Sequence, residues 1–555
     1  MHFAKLMLIS LSCLFAGIPA TNQDILFYDL ASKQGLDFIH DHGGSGEKYY
    51  VETMGSGVCL LDYDNDNDLD IYFCQGAPLP GWNKKIILEN KLFQNNNNIW
   101  IDVTDVSGVG DESYSTGCAC GDVDNDGDVD LYVTNFGNDT FYRNNGNGTF
   151  TNVTDKLQIN NSEWSSSAVF FDMDNDGFLD LYVTNYVEYS LDKNPWCGDR
   201  RTNRRAYCDP DIFTGASDKL FHNLGNWIFK DVSSSSGILV QKGKGLGVVS
   251  ADFDHDDDID IYVANDKTMN HYYVNDGFGN FRENALFIGV GFNENGRAEA
   301  GMGVDIGDVN GDGWQDLFVT NFSGETNTIY INSKDGFFSD ETFLLGLGQP
   351  SLNYLGFGTK FFDINYDGWL DLFVVNGHVI DNIHLFNKDY THAQPKQIFL
   401  NNRNGTFREL LPENIGDASK RNVGRGAAFG DLDNDGDIDV VVANNNERAN
   451  LLIRSGKPVG NWIGFLLIGV ESNYDAIGTR VIIEAKNTSQ TRFVTTAGSY
   501  LAANDKRILF GLMDYSSIDK VNIFWPSGNT DNFNNLDVNR YYQIKEGGRI
   551  SAMHY

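Results

Sequence analysis

Positive charge is scarce in this chain of 555 residues: 41 Lys and Arg stand against 77 Asp and Glu, a formal net charge of −36 at pH 7. A nucleic-acid partner needs a basic face against its phosphates, so that class is excluded. Beyond the first twenty residues no stretch is long and apolar enough to span a bilayer as a helix. There is no Cys-x-x-Cys and no Cys/His cluster to hold zinc or run redox chemistry. A nucleophile elbow, a His-Glu-x-x-His pair and a phosphate-cradling glycine loop are missing too. Sustained helical periodicity is absent from the long middle of the chain. Hydrophobic residues still make up 41%, too many for disorder and enough for a large core.

What the chain does have is one acidic nonapeptide written seven times, beginning at Asp62, Asp122, Asp172, Asp252, Asp308, Asp363 and Asp431. Positions one, five and nine are Asp, and position three is Asp or Asn. The candidate metal ligands are Asp62, Asp64, Asp66 and Asp70 in the first loop and Asp122, Asp124, Asp126 and Asp130 in the second. They are Asp172, Asp174, Asp176 and Asp180 in the third, and Asp252, Asp254, Asp256 and Asp260 in the fourth. The fifth offers Asp308, Asn310, Asp312 and Asp316, and the sixth Asp363, Asn365, Asp367 and Asp371. The seventh offers Asp431, Asp433, Asp435 and Asp439. Oxygen ligands at alternate positions of a tight turn suit a hard cation, so up to one Ca²⁺ per loop is expected. Position six must turn sharply: Gly127, Gly177, Gly313, Gly368 and Gly436 comply, Asn67 tolerates it, and Asp257 is the poorest fit. Asn310 and Asn365 lower the ligand charge, so the second, third and seventh loops are expected to bind most tightly.

Each loop leads into a short apolar strand such as LYVT from Leu131, with an Asn five residues past the ninth Asp in six units (Asn135, Asn185, Asn265, Asn321, Asn376 and Asn444). A second strand and an Asn-Gly turn follow, as in NNGNGTF from Asn144. Short antiparallel strands repeated seven times predict an all-β fold, a seven-bladed β-propeller over residues 25–458, favoured over an open solenoid. FYDLASKQGL from Phe27 repeats the closing segment of a unit, so the two ends of the repeat region are expected to share a blade. From 459 to 548 the acidic loop disappears and β runs such as WIGFLLIGV and GTRVIIEAK predict a small β-sandwich.

Residues 1–20 read as a secretory signal, with Lys5, an apolar run from Leu6 to Gly17 and small residues ending at Ala20. The mature chain is then exported, to the cell exterior, or to the periplasm or surface of a bacterium. Six cysteines remain: Cys197 and Cys208 bracket one loop and are the best pair. Cys118 and Cys120 face the same side of one strand and are poorly placed to bond each other; they pair with Cys59 or Cys74 or stay as buried thiols.

The acidic loop with its trailing strand resembles the FG-GAP/VCBS repeats of integrin α-chain propellers. NYDAIGTRVIIEA (Asn473 to Ala485), FGL (Phe510 to Leu512) and WPSG (Trp525 to Gly528) resemble an ASPIC/UnbV domain. Together they are similar to the cartilage acidic protein family, which the insert from Trp196 to Pro210 also resembles. The resemblance implies Ca²⁺ ligation by side chains one, three, five and nine with the seventh carbonyl, and work at the matrix or cell surface.

The function expected is extracellular binding or adhesion to a glycan or protein ligand, with Ca²⁺ rigidifying the blades. The alternatives are a propeller-based lyase or hydrolase with its acid/base set in the central channel, and an accessory partner of a secreted or surface complex. Lys193, Arg200, Arg201, Arg204 and Arg205 form one basic cluster, more simply read as salt bridges to the protein's own acids. His378 reads as a structural hydrogen-bonder. Sequons stand at Asn138, Asn147, Asn152, Asn160, Asn321, Asn404 and Asn487.

Overall fold

The computed structural model describes residues 25–554 except 158, 240–241, 456–459 and 487. The expected signal segment, most of the expected inter-domain boundary and the Asn487 sequon lie outside the described residues. Among those described, no helix is long and apolar enough to cross a membrane.

The chain is all-β, built mostly from four-stranded antiparallel sheets. Seven of them each carry one acidic loop between their first and second strands. The first strands are Val58–Leu61, Ser115–Gly121, Ser165–Phe171, Gly245–Ala251, Val304–Gly307, Gly356–Phe362 and Gly424–Gly430. First and second strands are buried on both faces with few exceptions, whereas an outer strand such as Phe150–Asn152 buries only its leading aromatic. That gradient follows from the sequence: apolar runs pack on both sides, alternating runs on one. The seventh sheet is completed from the other end of the chain, Leu26–Asp29 pairing antiparallel with Asn450–Ser455 so that Leu26 lies opposite Ser455. This is the shared sheet that the Phe27 segment predicts.

Each first strand packs on the first strand of the next sheet, and Gly424–Gly430 packs on Val58–Leu61. Glycines make the approach possible. A Cβ on Gly303 would lie 2.0 Å from the Phe357 carbonyl oxygen, and one on Gly426 2.6 Å from that of Ser56. Neighbouring sheets are also stitched by an asparagine at the end of six of the seven third strands, the seventh having Arg454 at that place. Asn144 Nδ2 donates to the Tyr63 carbonyl (2.9 Å), Asn223 to Val123 (2.8 Å), Asn275 to Met173 (2.8 Å) and Asn332 to Phe253 (2.9 Å). Asn401 reaches Val309 (2.8 Å), and Asn95 reaches Leu432 (2.9 Å), which links the first sheet to the seventh. Each is a buried bond between two sheets. Asn144→Ala should therefore lower the unfolding midpoint by the equivalent of about 1–3 kcal/mol, because the Tyr63 carbonyl loses its buried donor. Denaturant titration checks this, and an unchanged midpoint would dismiss the stitch.

After Gly460 two further four-stranded sheets enclose one core of Ile463, Phe465, Val481, Ile483, Phe510, Val521 and Ile544. The carboxylate of Glu546 ties this unit together: it accepts from the backbone nitrogens of Val470 (2.7 Å), Glu471 (2.8 Å) and Ser472 (2.9 Å) and from the Ser527 hydroxyl. Burial raises its pKa, but those hydrogen bonds outweigh it and hold the group down at about 2. A depressed folded pKa gives stability that is present above the unfolded value and lost as pH falls through the folded one. Glu546→Gln should lower the melting temperature at pH 7, and the gap to the parent should close between roughly pH 4.5 and 2. A gap that stays constant with pH would contradict this.

Between strands Thr488–Phe493 and Ile508–Gly511 the chain leaves this unit and runs among the first strands of the repeat sheets. Ser499 exchanges backbone bonds with Val304 (2.7 and 3.0 Å), and its hydroxyl donates to the Ala427 carbonyl (2.6 Å). Thr359 N donates to the Ser499 hydroxyl (3.2 Å), and Leu501 N to that of Ser167 (3.2 Å). Ala502–Ala503 adds a parallel strand to Val58–Cys59. Tyr500, 1% exposed, donates to the Met54 carbonyl (3.0 Å) and meets Phe357 edge-on at 4.8 Å. One segment of the C-terminal unit thus touches first strands on all sides.

Candidate metal centres and the unit that covers them

Each acidic loop is wound by its own backbone. In the first, Asp62 accepts from Asp66 N (3.1 Å) and Asn67 N (3.0 Å), and Asp66 accepts from Asp68 N (2.9 Å). Asp70 accepts from Tyr63 N (3.2 Å) and Asn95 N (2.8 Å), so the ninth residue fastens the loop to the third strand. The second and seventh loops repeat the pattern with Asp122 and Asp130, and with Asp431 and Asp439. Position six has positive φ in all seven, from +69° at Asp257 to +95° at Gly127, as its residue types predict. Position four does too (Asn65, Asn125, Asn175, His255, Gly311, Tyr366 and Asn434), a demand legible in its four asparagines but not read from them.

The winding brings carboxylates together. Oxygens of Asp62, Asp64 and Asp66 lie within 4.8 Å of one another, as do those of Asp122, Asp124 and Asp130, of Asp172, Asp174 and Asp180, and of Asp252, Asp254 and Asp256. Burial, joined by neighbouring carboxylates, raises the first-position acids: Asp62 to about 6, and Asp172, Asp252 and Asp431 to about 7. The ninth-position acids, more deeply buried, are pushed further in the same direction. The Oδ1 atoms of Asp64, Asp124, Asp174 and Asp433 are buried with no hydrogen-bond partner among the described residues. Crowded carboxylates with spare inward oxygens fit a divalent cation with oxygen ligands.

The loops differ in what else surrounds them. His222 Nε2 lies 3.2 Å from Asp174 and adds a nitrogen to the third loop. In the second, Arg143 is 3.2 Å from Asp124, and Trp227 Nε1 also donates to that carboxylate. In the sixth, Arg403 Nε reaches Asp367 at 2.9 Å, and the Asn365 amide oxygen accepts from Asp367 N. Asn310 does the same for Asp312 N in the fifth. Each loop also reaches the next. Asn65 Nδ2 donates to Asp128 (2.7 Å), Asn125 to the Gly177 carbonyl (2.8 Å), Tyr366 OH to the Gly436 carbonyl (2.7 Å) and Asn434 Nδ2 to Asp68 (2.7 Å). His255 stacks on Trp314 at 3.9 Å.

The C-terminal unit sits on these loops. Asp122 N donates to Asp475 (2.7 Å), Tyr474 N to Asn125 (2.8 Å) and Tyr541 OH to Asp431 (2.8 Å). Arg507 donates to the Asp431 carbonyl and to Asn434, both at 2.6 Å. Arg492 is half-buried and lines one cleft with Asp363 and Asp308. Gln490 meets Gly368 of the sixth loop, and Glu471 meets Gly177 of the third. Sequence reading found the loops but missed this cover.

Other sequence-derived candidates resolve simply. Cys197 pairs with Cys208, Cys59 pairs with Cys118 across the first two sheets, and Cys74 and Cys120 are buried thiols. The basic cluster disperses: Arg205 pairs with Glu47 (2.7 Å), Arg201 lies 3.5 Å from Asp199, Arg200 lies over Trp196, and Arg204 donates to the Leu385 carbonyl. His378 is fully buried, its Nδ1 accepting from Ile380 N (3.0 Å). Asn321 is 2% exposed and committed to Glu299, Thr326 and Thr328, so this sequon is closed to glycosylation in the folded chain.

Comparison with known proteins follows the same division. Models of the FG-GAP-like repeat match residues 122–183, 252–319, 308–374 and 381–442, and the model of the ASPIC and UnbV domain matches 469–551. Cartilage acidic protein 1 of Homo sapiens is 24% identical over 277 residues, 41% of this chain and 41% of its own length. The Mus musculus protein is 23% identical over 278 residues, 41% and 42%. The matched segment thus spans about two fifths of these curated relatives. A solved structure of an Agrocybe aegerita lectin, described as recognising non-reducing terminal N-acetylglucosamine, is 16% identical, with a TM-score of 0.39 over 66% of this chain and 82% of its own.

Proposed function

The chain joins FG-GAP-like repeats to an ASPIC and UnbV domain, and on that footing we propose an exported, calcium-loaded seven-bladed β-propeller that acts as an extracellular binding module. The propeller spans 25–458 and the C-terminal β-sandwich 459–548. The cyclic succession of first strands, the Asn95–Leu432 stitch and the Asn434–Asp68 contact support a closed ring of seven blades. Calcium would be held by side chains one, three, five and nine of each loop. Bound there, the ions would offset the burial of these carboxylates and their mutual repulsion, which together raise their pKa values. The third and seventh loops keep the fullest donor sets. Arg143 already occupies part of the second, which should therefore bind less tightly than its sequence alone suggests.

One observation carries the choice of binding over catalysis: the C-terminal unit covers the acidic-loop face and fills the axis of the ring with Ser499 to Ala503. An acid/base set in the channel would have no room for substrate. Function then falls to the opposite face, where long connections gather, including the disulfide-closed insert from Glu188 to Thr214. The test is an array of polysaccharides and matrix proteins probed with the mature chain in calcium and in EDTA. Calcium-dependent retention on one ligand class is the expected result. Silence on both classes, with turnover of a polysaccharide in solution, would replace this reading with an enzyme.

A further inference from the structure

The face away from the acidic loops holds a cavity of ≈ 620 Å³ between the second and third sheets and the disulfide-closed insert. It exceeds the ≈ 390 Å³ cleft between the first two acidic loops and the C-terminal unit, and falls within the range of small-ligand sites. Its wall is aromatic. Phe136 and Tyr189 lie 5.9 Å apart, Tyr189 and Phe213 5.5 Å, and Trp164 backs them at 5.5 Å from Phe136 and 5.9 Å from Tyr189. Trp164 is buried, whereas Phe136, Tyr189 and Phe213 are only part-buried. These rings touch one another but are not coplanar, with 46° between Phe136 and Tyr189 and 80° between Tyr189 and Phe213, so they form an angled aromatic platform, not a cage around a point charge.

The platform is fixed in place before any ligand arrives. Tyr50 N donates to the Tyr189 hydroxyl (3.2 Å), which lies 3.3 Å from Asn194 Oδ1. Beneath it the Tyr50 and Tyr186 hydroxyls meet at 2.6 Å, and Tyr186 bonds Asp266. The insert is closed on itself by Cys197–Cys208 and anchored by Lys267 on Asp209 (2.7 Å) and by Asn382 Nδ2 on the Arg205 carbonyl (2.9 Å). Rings held this firmly lose little freedom on binding, which favours affinity from a small contact.

The rim carries both signs of charge. Glu163 and Lys193 are exposed, and neither side chain is paired among the described residues, while Glu188 is engaged by Lys242. A polyanion would meet Glu163 and Glu188, and a polycation would meet Lys193 and Lys242. A rigid neutral molecule with an apolar face and a hydroxylated edge meets no such conflict, because each hydroxyl can donate to Glu163 or accept from Lys193. We propose that this cavity binds a neutral saccharide, a pyranose face packing on one ring of the angled Phe136–Tyr189–Phe213 platform with the others at its edge, and its hydroxyls shared between Glu163 and Lys193. This rests on the extracellular-binding reading above and gives it a site and a ligand class.

The test uses the full mature chain on immobilised gluco-, galacto-, manno-, xylo- and N-acetylglucosamine oligosaccharides, with uronate and sulfated glycans and matrix proteins alongside. Calorimetry on the best neutral ligand then compares variants. Tyr189→Ala and Phe213→Ala should each weaken binding at least tenfold, and Tyr189→Phe, which keeps the ring, should retain most of it. Glu163→Gln and Lys193→Met lie exposed at the rim; each should weaken binding several-fold with no shift in melting temperature, which guards against variants that fail to fold. Saccharide binding unchanged in the platform and rim variants would overturn the site and leave the binding-module reading intact. Retention only on acidic glycans or on a matrix protein would overturn the neutral-saccharide class. Silence across the whole array would overturn both readings.

Discussion

Stripping calcium from the protein should lower its melting temperature steeply, in one step that involves both structural units. A ligand bound only to the native state stabilises it by RT ln(1 + [L]/Kd), about 1.4 kcal/mol per site when free ion exceeds Kd about tenfold. Extracellular calcium modules commonly bind at about 10⁻⁴–10⁻³ M, so millimolar calcium is the concentration at which to look. Seven such sites together reach about 10 kcal/mol, comparable to the whole stability of many domains. The C-terminal unit should feel the loss, because Asp475, Arg507 and Tyr541 bind the backbone and carboxylates of the second and seventh loops. Hydrogen exchange in EDTA should therefore rise in the Ser499–Asn504 segment as well as in the loops. Calorimetry with and without EDTA checks the first point. A coincident melt, with no calcium found per chain by dialysis, would end the metal assignment.

The second large effect is expected from Tyr500→Ala. The ring is fully enclosed by Met54, Phe357 and Leu501, with its hydroxyl on the Met54 carbonyl. Truncation leaves a cavity where first strands converge, and large aromatic-to-alanine changes in a core cost about 3–5 kcal/mol. The Met54 carbonyl would also lose its donor, which adds to the cost. Because the segment belongs to one unit and is buried in the other, the variant should become protease-sensitive in both at a lower denaturant concentration. Loss confined to the C-terminal unit would show that the segment is a passenger in the channel.

The acidic loops and their sharp turn at position six were legible because tight turning constrains residue type. Asn67 and Asp257 stand at the sixth position, and both adopt the left-handed backbone their place in the pattern demands. The shared sheet was legible from Phe27 because one unit is a recognisable copy of another. What was missed has a common physical cause. The Asn144-type stitch lies inside a turn motif that reads as hairpin chemistry, yet its amide serves the neighbouring sheet. The Gly-x-Gly or Ser-x-Gly that opens or just precedes most first strands, such as Gly301-Met302-Gly303, could have announced close approach of neighbouring strands. The Ser499–Asn504 segment has no periodicity at all, since its residues answer to several different sheets far away in the chain. Contacts of that kind leave no local signature.

The pairing of Leu26–Asp29 with Asn450–Ser455 sets a clock on biogenesis. Leu26 is made 429 residues before Ser455, the residue opposite it, an interval of roughly 20–90 s at ordinary rates of synthesis. Throughout that time the outermost member of the seventh sheet exists without the rest of that sheet, and the strand that includes Phe27 waits without a mate. Such a strand is a hazard for wrong partnering with another nascent copy. The contact separation is also long enough to make closure slow once both halves exist. The last event must be later still, because Tyr500 follows Ser455 in the chain. Maturation thus has a natural order, with the seventh sheet completed first and the Ser499–Asn504 segment seated afterwards, and a holdase would have to shelter the open intermediate until then.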